Sequence, residues 1–366
     1  MIMKYNVLGI MSGSSMDGVD LALCELQEDG GQWAYRIVEA ETVPYDSKWR
    51  IRLSQLRKQT PAIYAKTDTF YGLYLGSLVN QFIKKHNVKV DLIASHGHTV
   101  FHQPESGFTA QVGAGSSLHG STGLPVVSDF RTVDVALGGQ GAPLVPMGDT
   151  LLFANYDACL NLGGFCNITA KRNGSLTAFD ICPGNIILNR IARNLGKDYD
   201  HNGEIALSGS INYDLLKKLN ELPFYTKTGA KSLGREWINS EFWPIVRDYE
   251  KANKQEDLMK TLADHVAGQI AKAIDALTDN QPEGYKILVT GGGAYNEALI
   301  DLMRTHSDAE FVIPEDKNII EYKEALIFAL LGLLRVKNQT NVLSAATGSK
   351  ADNIGGALYG NFSSLI

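Results

Sequence analysis

Residues 7–20 read Val7-Leu8-Gly9-Ile10-Met11-Ser12-Gly13-Ser14-Ser15-Met16-Asp17-Gly18-Val19-Asp20. The apolar start of this stretch predicts a buried strand that stops at residues 12–15. Asp17-Gly18 is typical of a tight hairpin turn, and alternating apolar residues resume from Val19 to Leu26. A turn of glycine, serine and aspartate presents backbone N–H groups and hydroxyls that can hold an anion. An ordinary glycine-rich hairpin has the same composition, so the interpretation depends on the rest of the chain.

The chain has 366 residues, of which 44% are hydrophobic and 20% charged. This length and composition allow a sizeable core and about two domains. The formal net charge of −6 argues against a nucleic-acid-binding surface. The four cysteines include no Cys-x-x-Cys pair, which suits reduced thiols in a cytosol. We see neither a signal peptide nor an apolar run of about 18 residues, so we expect a cytoplasmic protein without a membrane span.

The first half predicts a three-stranded antiparallel meander, whose third strand lies at residues 33–38, followed by helices over 46–58 and 61–86. Short apolar runs then alternate with helical or loop segments, which is typical of a parallel α/β sheet. These runs lie at 92–96, 110–112 and 125–128. In the second helix we expect one apolar stripe to lie in the core. Its members are Ile63, Phe70, Leu73, Tyr74, Leu78 and Phe82.

The second half repeats this order after a glycine-rich seam at residues 137–143. Its meander is expected at 158–162, 165–170 and 176–179, and a later strand at 287–290. Helices are expected near 184–194, 213–220, 258–278, from about 295, over 322–337 and after Asp352. We expect loops and short helices between 220 and 257, where no period is visible. The repeated order predicts a structural duplication.

Three glycine-rich turns follow apolar strands, namely Gly13 to Gly18, Gly163-Gly164 and Gly291-Gly292-Gly293. Nucleotide phosphates need backbone N–H donors at close range, and glycine permits that approach. The sequence has no Gly-Lys-Ser/Thr, so it lacks the Walker A motif of P-loop NTPases. Gly113-Ala114-Gly115 begins like a dinucleotide-binding fingerprint, but Leu118 stands where the third glycine belongs. The sequence therefore lacks the main signature of both nucleotide-binding classes.

These features resemble the ATPase fold of actin, hexokinase and the heat-shock chaperones, in which ATP lies in a cleft between two duplicated ribonuclease H-like domains. Within that superfamily the sequence resembles the anhydro-N-acetylmuramic acid kinases over nearly the whole chain. The resembling segments are residues 9–20, 95–102, 129–134, 138–146, 161–164, 179–185, 290–296 and 323–325. The resemblance implies an α/β fold of two actin-like ATPase domains. The first would contain residues 1–130 plus about 345–366, and the second residues 131–344.

The resemblance also implies an activity. The family phosphorylates an anhydro-sugar and opens its 1,6-anhydro bridge with water, giving a sugar 6-phosphate and ADP during cell-wall recycling. It implies ATP and Mg²⁺ as cofactors, a bacterial cytoplasm and a homodimer. Asp180 would be the base that takes a proton from the attacking water. The residues alone allow Asp180 to cap the next helix instead.

The motif around Asp180 departs from the family pattern. The family usually carries Thr-Gly where this chain has Ile181-Cys182. The change makes the turn bulkier and removes a hydroxyl next to the base. Cys182 has no basic neighbour in the sequence, so we interpret it as a small packing residue rather than a nucleophile.

By resemblance, the turn after the first strand would hold the phosphates of ATP. Its members are Gly13, Ser14, Ser15, Met16, Asp17, Gly18, Val19 and Asp20. The glycines of the second half complete the nucleotide site, with Gly291, Gly292 and Gly293 against the adenosine and Gly163 and Gly164 in the remaining turn. Asp17 would lie near Mg²⁺, which proteins usually hold through carboxylates and water. Asp17 also suits a plain turn position.

Three residues are candidates for the sugar. The resemblance places Thr99 and Glu324 in contact with it. Arg131 would meet the lactyl carboxylate or an acetamido oxygen, because a guanidinium can bind a carboxylate bidentately. Arg131 could instead pair with Asp129 or Asp134 at the surface. Glu324 could simply be a favourable acidic residue in the first turn of a helix.

Three other functions stay open. His96, His98 and His102 could form the zinc site of a metallohydrolase, although no cysteine accompanies them and only alternate strand residues share a face. A kinase for another anhydro-sugar such as levoglucosan would leave Arg131 without an acidic partner. A non-catalytic ATP-binding sensor would bind nucleotide without sugar-dependent turnover.

Overall fold

The computed structural model describes residues 3–13, 16–172, 175–227, 229 and 231–365. The chain divides into two compact units. Unit 1 contains Met1–Ala154 and Tyr322–Ile366, and unit 2 contains Asn155–Glu321. Within the described residues, every helix is too short or too polar to cross a bilayer.

The strands, in chain order, are β1 (Lys4–Ser12), β2 (Gly18–Asp29), β3 (Gln32–Pro44), β4 (Leu92–Gln103), β5 (Phe108–Val112), β6 (Val126–Ser128), β7 (Ala158–Leu162), β8 (Phe165–Arg172), β9 (Ser175–Pro183), β10 (Lys286–Thr290), β11 (Glu310–Val312) and β12 (Ala357–Tyr359). The α-helices are α1 (Ser47–Gln55), α2 (Pro61–His86), α3 (Gly115–Thr122), α4 (Thr132–Ala136), α5 (Val145–Leu152), α6 (Asn185–Asn194), α7 (Glu204–Ser208), α8 (Tyr213–Asn220), α9 (Arg235–Trp237), α10 (Trp243–Glu250), α11 (Gln255–Thr278), α12 (Glu297–His306), α13 (Lys317–Val336) and α14 (Ser344–Thr347).

Unit 1 is built on a sheet with the strand order β12-β6-β4-β1-β2-β3, and β5 pairs with β4. The predicted meander is confirmed, because β1, β2 and β3 pair antiparallel in sequence order. The sheet as a whole is mixed, since β4 runs parallel to both β1 and β6. Buried Leu8, Ile10, Leu21 and Leu23 place one face of the meander in the core.

Unit 2 repeats this plan with the strand order β11-β10-β7-β8-β9. Strands β7, β8 and β9 form the second meander, and β10 runs parallel to β7. The predicted fold class is therefore confirmed: two α/β units, each with a sheet that begins as an antiparallel meander. Helix α11 supplies a large part of the core, including Leu258, Leu262, Val266 and Ile270.

Helix α2 has the predicted bounds, but the prediction of which face lies in the core is partly wrong. It begins at Thr60, whose hydroxyl accepts from the Ile63 N–H, and ends at Asn87 in the left-handed conformation. Three residues of the predicted core stripe are 43 to 49% exposed, namely Ile63, Phe70 and Leu73. The buried face instead contains Gly72 and Gly76, where a Cβ would lie 2.5 Å from Ala114 O and from Ser121. These glycines let α3 approach closely, and hydropathy alone does not reveal that.

The unit boundaries differ from the predicted domain boundaries at 130 and 345. Residues 131–154 and 322–344 lie in unit 1, because α5 and most of α13 pack within it. Helix α13 is interrupted at Tyr322, where the chain passes from unit 2 into unit 1. It then crosses β1 so closely that a Cβ on Gly9 would lie 1.8 Å from Ala325 O.

The helix predicted after Asp352 is wrong. This segment forms β12, which pairs antiparallel with β6. The Asn341 side chain fixes the approach to the strand, because it donates to Gly355 O and accepts from Gly355 N–H. Backbone groups that a helix would use internally are thus bonded to another segment.

A buried ion pair joins α5 to α13 inside unit 1. Lys323 Nζ lies 3.0 Å from Asp149 Oδ1, and both side chains are buried. Lys323→Met would leave the Asp149 carboxylate buried without its cation. We expect the free energy of unfolding to fall by about 3–5 kcal/mol, measured by chemical denaturation.

The double variant Lys323→Met/Asp149→Leu provides the control. It removes both charges from the core, so it should recover most of the lost stability. The role of the pair would be contradicted if Lys323→Met were as stable as the native protein. It would also be contradicted if the double variant were no more stable than Lys323→Met.

Candidate active site

The first glycine turn connects β1 to β2 in unit 1. Gly13 O accepts from the Met16 N–H, and Met16 has a left-handed φ of 62°. Asp17 O accepts from the Tyr45 N–H, and Gly18 pairs with Pro44 on β3. Ser14 and Ser15, which the sequence assigns to the phosphates, lie outside the described residues. The described part of the turn has the predicted hairpin form.

A buried hydrogen-bond network supports the start of this turn. The Ser12 hydroxyl bonds to the Tyr45 hydroxyl at 2.6 Å and to His98 Nδ1 at 2.8 Å, and the Tyr45 and Tyr71 hydroxyls are also bonded. Burial lowers the pKa of His98 to about 4 and raises that of Tyr45. The network is therefore neutral at physiological pH. Its members are far apart in sequence, which is why sequence reasoning missed it.

The carboxylates of this turn suit a cation that keeps most of its water. Asp17 is exposed, and Asp20 is half-buried with Oδ1 accepting from the Thr42 hydroxyl at 2.7 Å. No group of three or more metal-ligating side chains converges within the described residues. One or two carboxylates with phosphate and water are the usual ligands of Mg²⁺, so Asp17 and Asp20 fit such an ion.

The zinc hypothesis is wrong, because the three histidines bond to different partners. His96 Nε2 accepts from Arg131 Nε at 2.9 Å, whereas His98 bonds Ser12. His102 Nδ1 bonds the Thr109 hydroxyl at 3.2 Å. These side chains are described, and they form no metal cluster.

Arg131 and Glu324 interact electrostatically in unit 1. Arg131 immediately precedes α4 and is half-buried, and desolvation lowers its pKa to about 10 while Glu324 raises it. Glu324 is an exposed residue of α13, and desolvation raises the pKa of its carboxyl group. Lys323 and Arg131 lower that pKa, and Asp20 and Asp149 raise it.

The surface ion pairs considered for Arg131 are not formed. Asp129 accepts from the Thr132 hydroxyl, and buried Asp134 accepts from Gly141 N–H, the Thr347 hydroxyl and Asn353 Nδ2. Thr99, the third sugar candidate, lies half-buried on β4, where its hydroxyl accepts from Gln111 Nε2 at 3.4 Å.

The two glycine turns of unit 2 lie together. Gly163 O and Gly164 O accept from the N–H groups of Asn185 and Gly184, at 2.9 and 2.8 Å. Gly291, which follows β10 with a φ of 81°, lies so close to the β7 end that a Cβ would be 2.4 Å from Asn161 Oδ1. The turns predicted from sequence thus meet at the start of α6.

A cavity of about 960 Å³ opens beside these turns, entirely within unit 2. Gly292, Gly293 and Asn185 line one part of it, and Arg304 and Lys317 contribute cationic groups. Its size is within the range of pockets that hold small-molecule cofactors.

Asp180 lies half-buried on β9, opposite Asn167 of β8. Its Oδ2 accepts from the Leu233 N–H at 2.7 Å, and its own N–H donates to Lys231 O at 2.9 Å. Desolvation raises the pKa of this carboxyl, and the Leu233 hydrogen bond lowers it. The helix-cap alternative is wrong, because Gly184 is the N-cap of α6. Sequence reasoning missed Leu233, which lies in a stretch without any period.

The two residues that depart from the family pattern are both buried. Cys182 lies opposite Cys166 on β8, and burial raises the pKa of its thiol well above the usual range. Such a thiol is a poor nucleophile, so its interpretation as a packing residue is confirmed. Ile181 is also part of the unit 2 core.

Nearly the whole chain is similar in sequence to one family of known proteins. The family model for anhydro-N-acetylmuramic acid kinase matches residues 5–361. The chain belongs to the anhydro-N-acetylmuramic acid kinase family. The anhydro-N-acetylmuramic acid kinase of Francisella tularensis subsp. novicida is 34% identical, over 95% of this chain and 96% of that protein. The proteins of the same name from Haemophilus influenzae and Sulfurimonas denitrificans are 33% and 32% identical, over 96% of this chain and 97% and 98% of theirs.

Membership in this kinase family confirms the resemblance that the sequence motifs carry. It makes the protein a phosphotransferase that uses ATP. The family match covers residues of both units, so it includes all the candidate site residues.

Asp180 should lower stability while it is ionised. Because its pKa is raised in the folded state, the ionised carboxylate costs stability at neutral pH, and this cost disappears as pH falls through the folded-state pKa. Asp180→Asn removes the charge and keeps an acceptor for the Leu233 N–H. We expect a higher unfolding temperature at pH 7 and a smaller difference in acid.

Asp134→Asn is the matched control with the opposite sign. The Asp134 carboxylate accepts three hydrogen bonds, so an amide NH₂ would face a donor and cost about 1–3 kcal/mol. Destabilisation by both substitutions would contradict the desolvation of Asp180.

Proposed function

We propose that this protein phosphorylates 1,6-anhydro-N-acetylmuramic acid with ATP while water opens the anhydro bridge. The products are N-acetylmuramic acid 6-phosphate and ADP, in bacterial cell-wall recycling. The observation that carries the proposal is the half-buried Asp180 carboxylate, with its raised pKa, on the strand beside the one that follows the Gly163-Gly164 turn. Family membership supplies the substrate class.

Asp180 acts as the general base. The Leu233 N–H occupies Oδ2, so Oδ1 takes a proton from water as the water oxygen bonds to C1. The bond between C1 and the bridging oxygen breaks, and that oxygen remains on C6. It then bonds to the γ-phosphorus of ATP as the bond to the leaving ADP breaks. Desolvation raises the pKa of the Asp180 carboxyl and so makes it a stronger base.

Each unit has candidate groups for the nucleotide in this proposal. The turn from Gly13 to Asp20 binds the phosphates through backbone N–H groups, supported by the neutral network below Ser12. The glycine turns of unit 2 and the cavity beside Gly292 and Gly293 take the adenosine. Mg²⁺ held by Asp17 and Asp20 would neutralise phosphate charge.

Unit 1 also supplies the sugar contacts. Arg131 binds the lactyl carboxylate, and Glu324 and Thr99 contact the sugar. Arg131 favours an acidic substrate over levoglucosan, because its guanidinium is partly desolvated and has no ion pair among the described residues. We extend the proposal to a cytoplasmic homodimer, whose mass light scattering would report.

The test combines two sugars with one substitution. Purified protein is mixed with MgATP and either 1,6-anhydro-N-acetylmuramic acid or levoglucosan, and ADP and sugar phosphate are measured. We expect ADP with the muramic sugar, and a rate about 10²–10⁴-fold lower for Asp180→Asn because the base is lost. Asp248→Asn changes an exposed carboxylate of the same unit and should leave the rate unchanged.

Each result has one meaning. Turnover of levoglucosan alone would keep the chemistry and change the substrate. Nucleotide binding without sugar-dependent ADP would overturn the kinase proposal and favour the sensor.

A further inference from the structure

One buried histidine is bonded to the guanidinium assigned to the substrate carboxylate. His96 lies on β4 and is 4% exposed, and its Nε2 accepts from Arg131 Nε at 2.9 Å. The bond joins residues 35 positions apart, from a strand to the residue that precedes α4. The kinase chemistry above gives His96 no role of its own.

The protonation of His96 is set by its neighbour in the chain. His96 Nδ1 lies 2.9 Å from Gly97 O, which can only accept a hydrogen bond, so Nδ1 carries the proton. Nε2 therefore has a free lone pair for Arg131. Burial and the adjacent Arg131 charge lower the pKa of His96 to about 3, so the imidazole stays neutral.

Gly97 is fixed in the conformation that provides this acceptor. Its φ is 72°, in the left-handed region, and a Cβ there would lie 2.6 Å from Val112 O. A side chain at this position would be both strained and crowded. The geometry of Gly97 thus selects one tautomer of His96.

Ring packing fixes the imidazole from another direction. His96 packs against Phe328 with ring centroids 4.7 Å apart, and Phe328 packs against Phe130 at 5.4 Å. Phe130 precedes Arg131 in the chain, and Phe328 lies one helical turn after Glu324 on α13. This aromatic cluster therefore packs next to both charged residues proposed to contact the sugar, Arg131 and Glu324.

The bond to His96 uses the inner nitrogen of the guanidinium. Among the described residues, Nη1 and Nη2 of Arg131 make no hydrogen bond or ion pair, and the nearby carboxylates of Asp129 and Asp134 are bonded elsewhere. Glu324 acts on Arg131 electrostatically without forming a hydrogen bond to it. A guanidinium held at Nε keeps its two terminal N–H groups in the fork that binds a carboxylate through both oxygens.

We propose that His96 is a positioning residue that holds the Arg131 guanidinium for the carboxylate of the substrate, and that it thereby sets the preference for acidic anhydro-sugars. This rests on the proposed function, in which Arg131 meets the lactyl carboxylate. A histidine that only fills the core would affect acidic and neutral sugars equally.

Two amides separate these roles. In His96→Gln the side-chain oxygen reaches the position of Nε2 and can accept from Arg131. In His96→Asn the shorter amide reaches the position of Nδ1, bonds to Gly97 O and leaves Arg131 Nε without its acceptor. His119→Asn is the control, because His119 is another histidine of unit 1 whose Nδ1 bonds a backbone carbonyl, that of Leu124.

The readout is kcat/KM for 1,6-anhydro-N-acetylmuramic acid and for its lactyl amide, which keeps the ring and lacks the charge. For His96→Asn we expect a loss of about 10- to 100-fold with the acid, since a hydrogen bond to a charged group is removed, and little change with the amide. The loss should appear mainly in KM for the sugar. His96→Gln should recover most of it, and His119→Asn should match the native protein.

A double-mutant cycle completes the test. If His96 acts through Arg131, His96→Asn adds little to the loss caused by Arg131→Leu. If the losses of the two single variants add in the double variant, or if His96→Asn loses equally with acid and amide, the positioning role is overturned. Turnover of the acid by the native protein would still support the proposed function. No native turnover of either sugar would overturn both.

Discussion

The hydrogen bond from the Leu233 N–H to Asp180 holds a carboxylate that the surrounding protein desolvates. Desolvation alone would drive this group towards its neutral form, and a neutral acid is no base. A single backbone donor offsets part of that cost and fixes one oxygen. The other oxygen, Oδ1, is the one that we propose takes the proton from the attacking water.

In unit 1, the groups that we propose to bind the substrates are also held by hydrogen bonds, but their partners are neutral. His98 supports Ser12 at the phosphate turn, and His96 supports Arg131. Both imidazoles come from one strand and are kept uncharged by burial. Neutral acceptors orient the polar groups without cancelling the charge that a phosphate or carboxylate must meet.

Local signals predicted much of this molecule. Both meanders follow from apolar runs that end at glycine turns, and the bounds of α2 follow from Thr60-Pro61 and from the signal at its end. The core face of α2 could not be predicted, because Gly72 and Gly76 decide it through contacts with α3. Asp180 could be singled out only through its motif. Its partner Leu233 lies 53 residues away in a stretch without pattern.

The order of bond changes is the central claim, and isotopic labelling tests it most directly. The reaction is run in H₂¹⁸O with MgATP and 1,6-anhydro-N-acetylmuramic acid, and the product is reduced at once to prevent exchange at C1. Mass spectrometry should find one ¹⁸O atom on C1 of the sugar 6-phosphate and none in the phosphoryl group. Label in the phosphoryl group, or a phosphorylated sugar without label at C1, would contradict the attack of water on C1 with Asp180 as its base.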